Sequence, residues 1–416
     1  MAPRNTSEVY KPTCEAVKPT SSRRAGASTG TVRNITEVIV CIQVVPARGQ
    51  KTSRMMPDTN TKNGDGSIGR ADYNSLKIMK ENIMSADNIG AEYFHLKPSG
   101  LGYYGDGLTR PECVLCLADG TVIASQAEGG VSVIATNGTR RDILGQRVDG
   151  LPPVMTNGFA LSQSGDFLLA DLHGDGGGAW RLSRNGEVMP LLVELDGQAL
   201  PSANFVGVDH AGRIWITIST RHDPRALAYR ADIADGFIIL IDQKGARIVA
   251  DGLGYTNEAI VDPSGDWLYV NETMVRRTSR YSINADNSLS PRQTFVEYGH
   301  GTYPDGLAFD EEGAFWMTSV VSNRVVRVTP DGEQRVVIEE NDPEQLEIVE
   351  KAYLAGEMGR SHMDNIQTDV MQSISSIAFG GPNRRTAYLG NLLDTRLYTF
   401  QSPVAGFAPS HWGVRL

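Results

Sequence analysis

The chain lacks the ingredients of several structural and functional classes. Its 416 residues include only four cysteines, at positions 14, 41, 113 and 116, too few for a disulfide framework in a chain of this size. No run approaches the roughly 18 apolar residues of a membrane span. The segment ITEVIVCIQVV at 35–45 is too short and too far from the start for an ordinary signal peptide. Basic charge is not in excess. The formal net charge of −10 argues against nucleic acid as a partner, because phosphate binding needs a basic face. No nucleophile elbow, phosphate-binding loop or zinc-ligand spacing occurs. Long apolar-periodic stretches are scarce, whereas glycine is abundant at 44 residues, a composition of short strands and turns. The length suits two ordinary domains or one large all-β domain.

Two local features fit the same composition. Cys113 and Cys116 form a CxxC inside a strand-like run, where an odd separation sends the two thiols to opposite faces. They read as two buried hydrophobes. Residues 1–88 are polar, basic and aperiodic, which predicts a disordered leader or extension. A cytoplasmic location is the expectation, with a transit function of this leader as the alternative. Residues 89–416 then hold the folded domain.

What is present is a repeat. Six segments align from Glu112 (ECVLCLADGTVIAS), Asn157 (NGFALSQSGDFLLA), Asn204 (NFVGVDHAGRIWIT), Asn257 (NEAIVDPSGDWLYV), Asp305 (DGLAFDEEGAFWMT) and Ser375 (SSIAFGGPNRRTAYL). Eight residues after each anchor stand Gly120, Gly165, Gly212, Gly265, Gly313 and Asn383, the residue types that best tolerate positive φ. A turn at fixed offset between alternating apolar runs signals a β-hairpin. The anchors are spaced by 45, 47, 53, 48 and 70 residues, the period of a β-propeller blade. An all-β, six-bladed propeller is predicted. The excess in the last interval is a helical insertion at 341–365, with Leu346, Ile348, Val349, Tyr353 and Leu354 as its apolar stripe. It joins blade five to blade six, either as a lid over the face where inner strands begin or as a helix on the rim. Trp215, Trp267 and Trp316, with Leu168 and Val122 in the same register, are predicted to pack between blades.

All six anchors carry a side-chain oxygen and two of them, Glu112 and Asp305, are acids. Asn and Asp are ordinary turn-entry residues taken singly. In register, however, they converge on the propeller axis, where facing carboxylates repel unless a positive charge sits between them. Oxygen-only ligands suit a hard divalent cation, Ca²⁺ first, with Mg²⁺, Mn²⁺ or Zn²⁺ as alternatives.

The segments YPDGLAFDEEGAFWMTSVVSNRVVRVTPDG, GLGYTNEAIVDPSGDWLYVNETMVRRTSRYSI and NFVGVDHAGRIWIT resemble the senescence-marker-protein/gluconolactonase/luciferin-regenerating-enzyme superfamily over about residues 105–400. The resemblance implies a divalent cation in the central tunnel, held by Glu112, Asn204, Asn257 and Asp305, the residues that the repeat also selects. It implies hydrolysis of a lactone or related ester, with Asp305 as ligand and as general base or nucleophile. Asn157 would orient substrate or a bound water. Sugar-lactone members carry an arginine where this chain has Ser202, which argues against an anionic or heavily hydroxylated sugar-acid substrate. Paraoxonase-type members carry a histidine where this chain has Asn157, so of their histidine pair only His173 is matched here. Alternative readings are a phosphotriesterase, a strictosidine-synthase-like condensing enzyme, or a binding propeller with a structural metal.

Three further features bear on the site. Glu272, near Arg276, Arg277 and Arg280, reads as half of an ion pair within its blade. His300, five residues before Asp305, is a candidate for the tunnel mouth. The connection at 219–236 is long enough to line a pocket.

Overall fold

The computed structural model describes residues 94–416 apart from 148, 149, 151, 175 and 176, so the predicted leader lies outside the described residues. Six antiparallel four-stranded sheets account for the anchored repeats. Their inner strands are Val114–Cys116, Thr156–Leu161, Ala203–Val208, Thr256–Val261, Thr302–Phe309 and Ile374–Gly380, for blades one to six. From blade two to blade six each inner strand touches the next, the sixth touches the first, and the second strand of blade one, Val122–Gln126, touches the inner strand of blade two. The ring is therefore closed. Blade six takes its outermost strand, Gly102–Tyr104, from the beginning of the domain, which leaves no unpaired seam where the ring would otherwise open.

The hairpin turns follow the repeat. Gly120, Gly165, Gly212, Gly265 and Gly313 all have φ between 78° and 88°, a region closed to residues with a Cβ except under strain. In blade six the hairpin differs. An extra pair, Gly380 with Thr386, lengthens the ladder, and the positive φ falls on Arg384 rather than Asn383. Asn383 instead accepts the backbone N–H of Arg385 through its side chain.

The core lies between blade faces. Trp215 and Trp316 are fully buried there, each donating its indole N–H to an aspartate of its own turn, Asp209 or Asp310, at 2.9 Å. Trp267 also packs between blades, against the cluster shared by blades four and five, but on the opposite face of its strand from Leu268. It is half-buried beneath the Arg280 guanidinium at 4.4 Å, and its neighbour Leu268 is the fully buried one. A one-residue shift along a strand reverses the face. Cys113 and Cys116 are both free, buried and in different core clusters, as the odd spacing requires.

The insertion forms α1 (Pro343–Leu354) and α2 (Arg360–Asp364). Asp342 caps α1 by accepting the Gln345 N–H at 2.7 Å, and Pro343 opens its first turn. Leu346, Val349 and Tyr353 form the buried stripe, whereas Ile348 and Leu354 are exposed. The stripe packs with Tyr255, Met274, Tyr303, Val320 and Leu392. Tyr255 and Tyr303 each stand two residues ahead of an anchor, so the insertion lies on the face where inner strands begin. A buried ion pair fastens it: Arg276 donates to Glu350 of α1 at 2.6 and 2.8 Å and stacks on Tyr353 at 3.8 Å.

Candidate metal and active site

The device that points the anchors inward is a break in each inner strand's pairing. In blades two to six the ladder shifts register at Asn157, Asn204, Asn257, Asp305 and Ser375. An extra residue in one strand re-aims its side chain, here toward the axis. Glu112 stands just before the short inner strand of blade one. Gly306 follows Asp305 for a steric reason, since a Cβ there would lie 2.5 Å from the Ser376 Cα and 2.6 Å from the Ser375 carbonyl oxygen. The two inner strands approach so closely that only glycine fits.

Neighbouring blades fix the anchor backbone. Asn271 donates to the Asp305 and Gly306 carbonyls at 2.9 and 3.2 Å, and Thr273 donates to the Pro304 carbonyl at 2.8 Å. The amide of Asn157 bonds Glu112 Oε1 and the Asn204 carbonyl, both at 2.9 Å, while its Oδ1 accepts from Arg110 at 2.9 Å. Ser375 donates to the Glu112 carbonyl at 2.7 Å. These two positions are therefore occupied in holding Glu112. Asn257 spends its amide N–H on Thr273 at 3.1 Å.

Three of the other anchor oxygens have no donor. Glu112 Oε2, Asn204 Oδ1 and Asn257 Oδ1 are buried and without a hydrogen-bond partner, and the Asp305 side chain is 5% exposed beside them. A buried acceptor without a donor costs about 1–3 kcal/mol, so three in one tunnel call for a shared positive partner. A hard cation meets this need. Carboxylates alone do not form a cage: among the described residues no cluster of three or more His, Cys, Asp or Glu side chains has metal-binding geometry. A cation here would depend on the two asparagine oxygens.

The electrostatics agree with the orphaned oxygens. Burial pushes Glu112 up to about 7, against the pull of Arg110 and Arg225. Burial also lifts Asp305 well above the usual carboxylate range, with Glu112's charge adding to it. Sequence reasoning missed a third acid. Glu258, next to Asn257, is buried with Oε2 on the Leu307 N–H at 2.9 Å, and burial followed by Glu112's charge raises it strongly. It also borders a cavity of about 610 Å³ that lies beyond the anchors toward the far hairpin turns, lined by Phe159, Phe205, Trp215, Phe309 and Phe379.

Two of the remaining candidates are engaged by acids that are not anchors. His173 bonds Asp171 at 2.8 Å, and Asp171 is in turn paired with Arg147 at 3.1 Å. His300 pairs with Glu347 of α1 at 2.9 Å on exposed ground. Ser202 is buried immediately before the blade-three inner strand. Glu272 is the ion-pair partner of Arg277, at 2.7 and 2.8 Å, and Arg276 serves α1 instead. Also missed were the arginines of this face: Arg110, two residues before Glu112; Arg225, in the 219–236 connection; and Arg360, on α2. Their proximity in space has no counterpart in sequence spacing.

Comparison with known proteins gives a consistent result. The sequence profile of the SMP-30/Gluconolactonase/LRE-like region matches residues 78–342. A 6-deoxy-6-sulfogluconolactonase of Pseudomonas putida is 26% identical over 242 residues, 57% of this chain and 69% of that protein. A gluconolactonase structure from Xanthomonas campestris superposes with TM-score 0.53 at 17% identity, over 74% of this chain and 89% of that one. Regucalcin of Agrobacterium tumefaciens, a calcium-binding protein, superposes with TM-score 0.52 at 18% identity, over 76% and 94%.

Proposed function

The chain belongs to the SMP-30/Gluconolactonase/LRE-like family, and from that premise we propose that it is a divalent-cation-dependent hydrolase of a lactone or related ester. The observation that carries this reading is the set of orphaned oxygens on Glu112, Asn204 and Asn257 around the Asp305 carboxylate. A cation held by these residues, Ca²⁺ first, supplies Lewis-acid polarisation of a carbonyl, worth several kcal/mol of barrier.

The chain's own groups do the rest. Asp305 is a carboxylate in a buried site, where desolvation raises its proton affinity and so its competence to accept a proton from water. Asn157 bonds the Glu112 carboxylate and Ser375 its backbone carbonyl, so Glu112 is held as a ligand while Asp305 is left to accept the proton. The α1–α2 insertion shields this face from bulk water, which strengthens every charge interaction beneath it. The name of the Pseudomonas relative fits lactone chemistry.

One observation favours a second reading. Every anchor is between 1 and 5% exposed, which suits a structural cation that closes the tunnel of a binding propeller. Asp305→Asn separates the two. The hydrolase reading predicts loss of lactone turnover by at least about a thousandfold with an unchanged circular-dichroism spectrum. Wild-type turnover by a folded Asp305→Asn protein would remove the residue from catalysis.

A further inference from the structure

Three guanidinium groups approach the same end of the tunnel from three parts of the chain. Arg110 adopts a positive φ of 51° just before Glu112. That conformation is uncommon outside glycine and asparagine and turns the chain at the ring's edge. Arg225 comes from the blade-three connection. Its Nη2 donates to Ser219 at 3.0 Å, its guanidinium stands 5.5 Å from the Tyr255 ring, and its Nε is buried without a partner. Arg360 comes from α2, where its Nε bonds Asp364 at 2.7 Å. The charges of Arg225 and Arg360 both act on Arg110, together with those of Glu112 and Asp305. The three therefore share one field.

The obvious partners do not use them up. Among the described residues neither Arg110 nor Arg225 forms an ion pair: their side-chain bonds go to the Asn157 amide oxygen and the Ser219 hydroxyl. If a divalent cation neutralises Glu112 and Asp305, and Asp364 neutralises Arg360, the two guanidinium charges that remain exceed the one further acid of the tunnel, Glu258. Like charges crowded at a half-buried mouth are unfavourable until an anion joins them. The overall charge of −10 makes such a local surplus of positive charge the more specific. Arg110 and Arg225 are both half-buried rather than sealed, so a ligand's end group can reach them while its ring sits below.

We propose that the tunnel mouth is an anion subsite, in which Arg110 and Arg225, flanked by Arg360 of the insertion, hold a negatively charged group on the substrate. The proposal rests on the hydrolase reading and narrows it to lactones that carry a phosphate, sulfonate or carboxylate away from the scissile carbonyl. It runs against the expectation drawn from Ser202, because guanidinium groups on other elements would take the place of the one missing there. Guanidinium forks match such oxyanions in geometry as well as charge.

Binding tests this without turnover. Calorimetry of the full chain with Ca²⁺ would compare sorbitol 6-phosphate with neutral sorbitol, and then the 6-sulfonate and 6-carboxylate analogues to rank the three anions. The proposal predicts that at least one anionic analogue binds tighter than sorbitol by about tenfold or more. That advantage should shrink with added salt, fall about tenfold in Arg225→Met, fall less in Arg360→Met, and be partly retained in Arg225→Lys. Equal affinity for all the polyols, or no binding of any, would overturn the subsite, as would an undiminished advantage in a folded Arg225→Met protein. Absence of lactone turnover would leave this binding result intact and would count only against the hydrolase reading.

Discussion

At the residue scale, burial pushes Glu112 up to about 7, against about 4.3 for an unfolded glutamate. A raised carboxylate pKa means that the folded protein holds the proton more tightly. Its stabilisation is complete below the unfolded value and is lost as pH rises through about 7. In chelator at pH 8, the charged Glu112, with its Oε2 unpartnered, should therefore cost on the order of 3 kcal/mol. Glu112→Gln keeps an acceptor for the Asn157 amide and removes the charge. Thermal melts in chelator should show the variant more stable than wild type at pH 8, with the gap closing near pH 5. Added Ca²⁺ should raise the wild-type melting temperature alone. A variant that melts lower at pH 8 would show that Glu112 needs no cation to be comfortable. The ring was legible because a propeller forces equivalent residues onto one axis, so a column of Glu, Asn and Asp in the alignment becomes a ring in space. Glu258 was not legible. The pairing break at Asn257 brings the next residue into the tunnel as well, and strand alternation alone would have sent it to the other face.

At the element scale, the insertion is docked by more than its apolar stripe. The Arg276–Glu350 pair is almost fully buried, with side-chain exposures of 10% and 9%, and the Tyr353 hydroxyl donates to the Met274 carbonyl at 2.6 Å. Removing one partner strands the other charge, so Glu350→Ala should lower stability in urea titration by about 3–5 kcal/mol. The double replacement Arg276→Met with Glu350→Met should recover much of this loss, because an apolar pair needs no desolvated charge. An effect below about 1 kcal/mol for Glu350→Ala would mean that the pair is effectively solvated. The helix and its cap could be read from Asp-Pro and the spacing of Leu346, Val349 and Tyr353. Ile348 and Leu354 could not be sorted from them, since an apolar residue on an exposed flank looks the same in sequence as one on the buried face. Nor could the buried pair be foreseen: Arg276 and Glu350 are 74 residues apart and meet only once the insertion folds back over the blades.

At the scale of the whole molecule, a period near 45 residues with a turn at constant offset was enough to give a six-bladed ring. The strand that closes it was not visible. Gly102–Tyr104 is three residues long and lies far in sequence from Leu397–Gln401, with which it pairs, so it contributes nothing to the repeat. The hydrolase reading requires the orphaned oxygens of Glu112, Asn204 and Asn257, with Asp305, to hold a divalent cation needed for lactone hydrolysis. The most direct measurement is turnover of a panel of aliphatic, aromatic and sugar lactones, neutral and anionic, by chelated protein before and after addition of Ca²⁺, Mg²⁺, Mn²⁺ or Zn²⁺. The hydrolase reading predicts hydrolysis that chelator abolishes and one of these ions restores. Hydrolysis undiminished by chelator, or an ion that binds and raises the melting temperature without turnover of any lactone, would contradict it.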